Sequence, residues 1–283
     1  MIIFGEDWGG HPSSTQHIAK HLRHNHQIIW FNSIGLRRPR INISDISRAF
    51  SKVRKMLPAH KGLQHLNDME IVNPRAISWP GSPIAALLNR YMLSGQIRKA
   101  IRKKGYKNPI IWTSLPSAID AIDAFPEIPV IYYCCDDFSS LAGVDHKQIV
   151  AQEKKLIERA DLSIITNASL SKKFPKGCYL LEHGVDFSLF SEPAPIAADM
   201  PRGNKIIGYY GSIDQWLDYD LIESAAKNFP DWSFVFIGPV NHNIDRFSKY
   251  HNIYFKDPVP HHKLPEYAQH WNISWLPFNR SQQ

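Results

Sequence analysis

Residues 205–238 read KIIGYYGSIDQWLDYDLIESAAKNFPDWSFVFIG. An apolar run of strand length, KIIGYY, gives way to a Gly-Ser turn. A stretch with apolar residues at helical spacing follows, and then a second apolar run, WSFVFIG. Neither run alternates apolar with polar residues, so both predict strands buried on two faces, joined by a crossover helix. Strand, helix, parallel strand is the unit of doubly wound sheets.

The alternation continues in both directions. Apolar runs occur at 27–33, 108–113, 128–135, 162–167 and 178–183 before this unit, and at 252–256 and 272–278 after it. Helical patterns occupy 82–105, 146–160, 218–229 and 262–271. Between the halves, 192–204 (EPAPIAADMPRGN) is rich in Pro, Ala and Gly and carries no hydrophobic period, which reads as a linker. The expected organisation is a Rossmann-like domain over 1–191, a linker over 192–204 and a second, incomplete Rossmann-like domain over 205–283. The second domain holds about four strands where a complete doubly wound sheet has about five or six.

Composition narrows the class. The chain has 283 residues, 43% hydrophobic and 21% charged, with a formal net charge of +7. Residues 1–190 carry +9 and residues 191–283 carry −2, an asymmetry that suggests two domains with different partners. No apolar run approaches the roughly 18 residues of a membrane span, and the start, MIIFGEDWGG, lacks the pattern of a secretory signal. Three cysteines, Cys134, Cys135 and Cys178, make neither a disulfide framework nor a zinc site. Cytoplasmic localisation is the expectation. Cys134 and Cys135 should point to opposite faces of one strand.

Several motifs sit where open α/β sheets place ligands, at the carboxyl ends of strands. Gly9, Gly10 and His11 lie between the first strand and a helix that Ser13, Ser14 or Thr15 would cap. Free N–H groups there would suit an anion or an acceptor hydroxyl; the plain alternative is a tight turn. Asp136 and Asp137 close the run IPVIYYCC, where a carboxylate can orient a hydroxyl or act as general base, or simply cap a turn. His183 ends another run, as a catalytic or a structural histidine. In the second half, Gly208, Gly211 and Ser212 follow a strand, where a diphosphate would meet a helix N-terminus, or where a bend needs small residues. No GxGxxG follows the first strand of either half, which removes a nicotinamide-dependent oxidoreductase.

Two tracts are strongly basic. Residues 37–61 hold eight Lys and Arg against one acid, with Ile43, Ile46, Phe50, Val53 and Leu57 at helical spacing. Residues 90–107 hold seven Lys and Arg and no acid. Such tracts suit anionic lipid headgroups, or a solvated helix face packed by its apolar side. No nucleic-acid module accompanies the charge, so no nucleic-acid partner is expected.

GVDFSLF (184–190), IIGYYGSIDQWLDYDLI (206–222), PDWSFVFIGPV (230–240), NIYFKDPVPHHKLPEYAQHW (252–271) and NISWLPF (272–278) together resemble the family 4, or group 1, glycosyltransferases. HPSSTQHIAKHL (11–22), IIWFNSIGLRRPR (28–40) and VIYYCCDDFSSLAG (130–143) resemble the subgroup serving bacterial cell-surface polysaccharide synthesis. The resemblance implies a GT-B fold, two Rossmann-like domains facing a cleft, with acceptor on the first and nucleotide sugar on the second. It implies a retaining, metal-independent hexosyltransferase with no cofactor beyond its nucleoside-diphosphate sugar. The acceptor would be lipid-linked or polysaccharide, on the inner membrane face, within exopolysaccharide synthesis. On that reading Asp136, Asp137 and His183 are catalytic candidates. Gly208, Gly211, Ser212, Gly238 and Pro239 would face the donor, and Gly9, Gly10 and His11 the acceptor.

Two departures stand out. The family's Arg and Lys phosphate clamp is replaced by Ile213-Asp214-Gln215-Trp216-Leu217-Asp218. The Glu-x7-Glu donor element, expected beyond Phe278, does not arrive before residue 283, so the donor domain is expected to be cut short. These departures favour an alternative, a non-catalytic glycosyltransferase-like protein that binds glycan or scaffolds an assembly.

Overall fold

A computed structural model describes residues 1–10, 13–33, 69–77, 83–139, 146–203 and 205–279. It divides into two compact units, Met1–Gly184 and Val185–Gln283.

The first unit is built on seven parallel strands: β1 (Ile2–Phe4), β2 (Ile28–Phe31), β3 (Met69–Val72), β4 (Ile111–Thr113), β5 (Val130–Cys134), β6 (Leu162–Ile165) and β7 (Tyr179–Leu180). Their order is β3-β2-β1-β4-β5-β6-β7. β1 lies between β2 and β4, with Ile2 opposite Ile29 on one side and Ile111 on the other. Its three residues are fully buried, because each face meets a separate core. Ile2, Phe4, Ile29, Phe31 and Tyr132 join Leu93 and Ile97 of α2 (Pro83–Lys104) and Leu156 of α4 (His146–Arg159) on one face. Ile3, Ile28, Trp30 and Tyr133 pack with Ala19 of α1 (Ser14–Leu22) on the other. The short helix α3 (Ile119–Ile122) adds Ile119 and Ile122 to the first core. Cys134 belongs to the first core and Cys135 borders the second, the opposition expected from the period of a strand. Gly5 follows β1 against Trp30, where an added Cβ would lie 2.3 Å from the indole ring.

The second unit holds the expected four strands, β8 (Lys205–Tyr210), β9 (Trp232–Ile237), β10 (Ile253–Lys256) and β11 (Ile273–Ser274), all parallel in the order β10-β9-β8-β11. After the short helix α5 (Phe187–Ser191), helix α6 (Tyr219–Asn228) packs Ile222 and Ala226 against Phe234 and Phe236 on one face. On the other face Ile206, Val235 and Ile237 pack with Tyr267 of α7 (Pro265–Ala268), Ala197 and Met200. The 192–203 segment therefore runs along this unit. Ala197 N–H donates to the Glu266 carbonyl at 2.9 Å, and Lys256 pairs with Asp199 at 2.7 Å.

Every apolar run quoted above contains a strand. β3 was not among the expected strands, since Glu70 interrupts its apolar character. The helix expected over 262–271 shrinks to a 3-10 turn, His261–Lys263, and the single turn of α7. Pro265 has no N–H to donate backward, so no continuous helix passes through it. The tract 37–61 and His11 lie outside the described residues. No helix among the described residues is long and apolar enough to cross a membrane.

One buried polar residue ties the second unit together. Asn252, 2% exposed, donates its side-chain amide to the carbonyls of Ala226, Phe229 and Trp232, joining the end of α6 to the starts of β9 and β10. Asn252→Ala leaves these carbonyls without that donor, and the second unit should lose about 2–3 kcal/mol in urea unfolding.

Candidate functional site

In the first unit the strand order reverses between β1 and β4, and the loops leaving their carboxyl ends splay apart there. Glu6 and Asp7 follow β1, and Asp136 and Asp137 follow β5. Ser13 caps α1: its hydroxyl accepts from Gln16 N–H at 3.2 Å and donates to Glu6 Oε2 at 2.8 Å. The first helical residue, Ser14, places its Oγ 2.7 Å from His183 Nδ1. Burial pushes the Tyr133 pKa up to about 12, with the Ser14 hydroxyl opposing the rise. Asp136 is exposed by its surface area, yet partial desolvation by the surrounding protein raises its carboxyl pKa, while the nearby His183 opposes that rise. Burial, then Asp136 and Glu6, push the Cys135 thiol up.

The structure thus brings Asp136 and His183 together and adds Ser14, Tyr133 and Glu6. Ser14 was expected only as one of three possible caps. Tyr133 and Glu6 carried no sequence signal beyond their place at the ends of β5 and β1.

Asp137 has a different environment. Its carboxylate accepts from Lys173 Nζ at 2.7 Å and from the Ser139 hydroxyl at 2.6 Å, and these bonds hold its pKa down to about 2. Lys173 also pairs at 2.8 Å with Glu153, which is 3% exposed and accepts from the Tyr132 hydroxyl at 2.9 Å. Lys173 is drawn from the turn Ala168–Lys173, so the bridge pins the loop after β5 to the segment after β6. Asp137 anchors the loop on which Asp136 is displayed.

The glycine loop differs from the expectation. Gly9 adopts φ +75° and gives its N–H to Gln16 Oε1 at 3.3 Å; Gly10 N–H donates to the Asp7 carbonyl at 3.1 Å. Both groups serve a tight turn, so neither is left for an acceptor.

The donor-side glycines of the second unit also prove to be packing positions. Gly208 lies in β8 against Trp271, where a Cβ would sit 1.9 Å from the ring. Gly238 adopts φ +150° and approaches Gly211 so closely that a Cβ would lie 1.9 Å from the Gly211 carbonyl oxygen. The Pro239 carbonyl accepts from Ile213 N–H at 2.9 Å, and Ser212 Oγ accepts from the Asn241 amide at 2.9 Å. No helix starts at this turn. α6 begins at Tyr219, with Asp218 as its cap accepting from Leu221 N–H at 2.9 Å. Asp220, in its first turn, pairs with Arg246 at 2.7 Å. Carboxylates therefore occupy the helix end where a diphosphate was expected.

Of the second basic tract, Lys103 and Lys104 share the single carboxylate of Glu70, and Arg98 lies over Phe125 at 5.2 Å. The same helix exposes Ile84, Leu87, Leu88 and Tyr91, at one-face spacing. Among the described residues no group of three or more His, Cys, Asp or Glu is arranged to hold a metal ion.

No family model matches the sequence. Bacillus subtilis (strain 168) TuaH, provisionally assigned as a teichuronic acid biosynthesis glycosyltransferase, is 26% identical over 193 residues, which is 60% of this chain and 49% of that protein. The chain thus spans about half the length of the curated relative it matches. Among solved structures, the sucrose-phosphate synthase of Thermosynechococcus elongatus superposes with a TM-score of 0.67 at 15% identity, over 99% of this chain and 76% of that one. The Anabaena protein HepE, solved with UDP and glucose, superposes with a TM-score of 0.61 at 12% identity, over 96% and 72%. These likenesses, with two parallel Rossmann-like sheets, make the fold GT-B.

Two outcomes follow from the Lys173 bridge. Lys173→Met strands Glu153 in the core, and urea unfolding at pH 7 should show a loss of about 3 kcal/mol or more. Asp137 titrates lower in the folded chain than its ordinary value of 3.8, so its pairing stabilises fully above that value and is lost as pH falls through about 2. Asp137→Asn should lower the melting temperature at pH 7 and flatten its fall between about pH 4 and 2, which a pH series of thermal melts reads directly.

Proposed function

We propose that this chain is a glycosyltransferase that moves a sugar from a nucleoside-diphosphate donor to a hydroxyl of a cell-envelope glycan acceptor. The observation that carries the reading is the meeting of Asp136, His183 and Ser14 at the carboxyl-end crevice of the first unit of a GT-B fold. The similarity to TuaH supports the transferase class and a polysaccharide product. HepE, solved with UDP and glucose, makes UDP-sugars the first donors to try.

In the reaction the acceptor oxygen bonds to the anomeric carbon while the bond from that carbon to the diphosphate oxygen breaks. The electron pair leaves with the nucleoside diphosphate, and the hydroxyl proton departs. Asp136 accepts the hydrogen bond of the acceptor hydroxyl and draws off its proton. The raised pKa of this carboxyl makes it a better base than an aspartate at its ordinary pKa. We take the transfer to be retaining, the acceptor oxygen entering on the face that the diphosphate leaves, and metal-independent, with the chain cytoplasmic and using a lipid-linked or polysaccharide acceptor. The exposed stripe Ile84, Leu87, Leu88 and Tyr91, with exposed Arg98, Lys99 and Arg102 further along the same helix, supports contact with an anionic membrane face.

A non-catalytic role, glycan binding or scaffolding, draws on a separate observation. The loop Gly211–Asp218 contains no Lys or Arg, and α6 opens on a carboxylate cap. Incubation with radiolabelled UDP-sugars and membranes separates the two, since a scaffold yields no labelled glycan. For the enzyme, Asp136→Asn should cut the transfer rate by about 10²–10⁴-fold with little change in donor KM. An unchanged rate would remove Asp136 from the chemistry.

A further inference from the structure

At the amino-terminal ends of β4 and β5, opposite the crevice, the first unit carries an open cavity of about 1010 Å³. One wall is the end of α2 with the chain that leads into β4; the other is the segment before β5. Both walls are held by backbone contacts. Gly105 ends α2 at φ +67°, and Tyr106 N–H donates back to the Ile101 carbonyl at 3.2 Å, closing the helix with a turn. Across the cavity, Arg159 donates to the carbonyls of Phe125, Pro126 and Ile128 at 3.0, 3.2 and 2.7 Å.

Three cations line this cavity, Arg98, Arg102 and Lys107, against one acid, Glu127. Among the described residues, the ion pairs of the first unit use Lys103, Lys104, Arg159 and Lys173. The three cavity cations belong to none of them. Arg98 is held instead over the Phe125 ring at 5.2 Å. Cations gather near a helix end to offset its macrodipole, but that effect fades beyond the last turn. Lys103 and Lys104 already serve it; Arg98 stands more than a turn earlier and Lys107 beyond the helix. Three like charges in one concavity repel, and an anion seated among them removes that cost.

We propose that this cavity is a second binding site, for a terminal phosphate group. Three cations less one acid leave a charge of +2 on the walls. A phosphomonoester at pH 7 carries about −1.5 to −2 and three acceptor oxygens, so it matches both the charge and the two guanidinium forks. A lone carboxylate offers half the charge and two oxygens. The phosphate belongs either to a lipid headgroup or to a soluble molecule. The outer face of α2 favours the lipid: Ile84, Leu87, Leu88 and Tyr91 share one side of the helix with Arg98 and Arg102. That side is apolar toward its start and cationic where it meets the cavity. The site lies away from the crevice, so it holds whether or not the chain transfers sugar.

Inorganic phosphate is titrated into the ¹⁵N-labelled full chain at constant ionic strength, with chloride as the balancing anion. Saturable amide shifts should be confined to residues 98–110 and 125–129. Arg102→Gln combined with Lys107→Gln should weaken binding by at least about tenfold, and Glu127→Gln should tighten it. The control pair, Lys147→Gln with Lys154→Gln, removes the same charge from exposed positions on α4 and should change little. A second arm sediments the chain with phosphatidylcholine vesicles, with and without phosphatidic acid. Capture that needs phosphatidic acid and is lost in the Arg102/Lys107 pair assigns the phosphate to a lipid. Phosphate shifts without capture assign it to a soluble ligand. The inference is overturned if neither probe binds, or if the control pair weakens binding as much as the cavity pair.

Discussion

β1 has parallel partners on both sides, and most of the first unit follows from that. A strand in that position hides both faces, so it is written entirely in Ile and Phe, and it needs helices above and below. The chain winds outward one way through β2 and β3, then crosses back and winds outward the other way through β4 to β7. The reversal separates the loops at the carboxyl ends, and Glu6, Ser14, Asp136 and His183 converge at that end of the sheet. The second unit repeats the scheme in miniature, with β8 between β9 and β11. Its loops are closed differently, by glycine backbones in contact and by acidic caps.

Electrostatics separates two aspartates adjacent in sequence. Asp137 turns to Lys173, which is shared with buried Glu153, and becomes part of the framework. Asp136 is left near His183, partly desolvated and, among the described residues, without a lysine in an ion pair. A single cation thus decides which carboxylate is structural and which is chemically available. Its position one sheet step away, after β6, is a matter of three-dimensional pairing.

The strands were legible because residues buried on two faces must be apolar throughout; IIWF, VIYYC and WSFVFI admit few other readings. That Asp136 and His183 come near each other was legible in part, because both follow strands whose carboxyl ends share one edge of the sheet. What the sequence hid were relations between distant residues. Ser14 and His183 are 169 positions apart, and no local pattern announces their bond. The glycines misled for a related reason. Gly208, within β8, and Gly238, just after β9, flank a turn of the kind that often cradles phosphates, yet each is small because Trp271 or the Gly211 backbone presses against it. Only the fold tells a glycine that admits a ligand from one that admits a neighbour. The helix begins where its pattern does, at Tyr219, but the Gly-Ser turn of 211–212 does not lead straight into it: the chain first runs through paired backbone, with Ile213 bridged to Val240.

The central placement of β1 also bears on how the polypeptide is made. Of the strands of the first unit, the one synthesised first takes an interior place, and one of its partners, Ile111, lies 109 residues after Ile2. Until β4 has emerged, β1 can pair only with β2 and keeps an apolar edge open to other chains. The sheet of the first unit is completed only when Tyr179 and Leu180 have been added. The nascent chain therefore passes through a long interval in which its most hydrophobic strand is half paired, and folding chaperones have most to protect there.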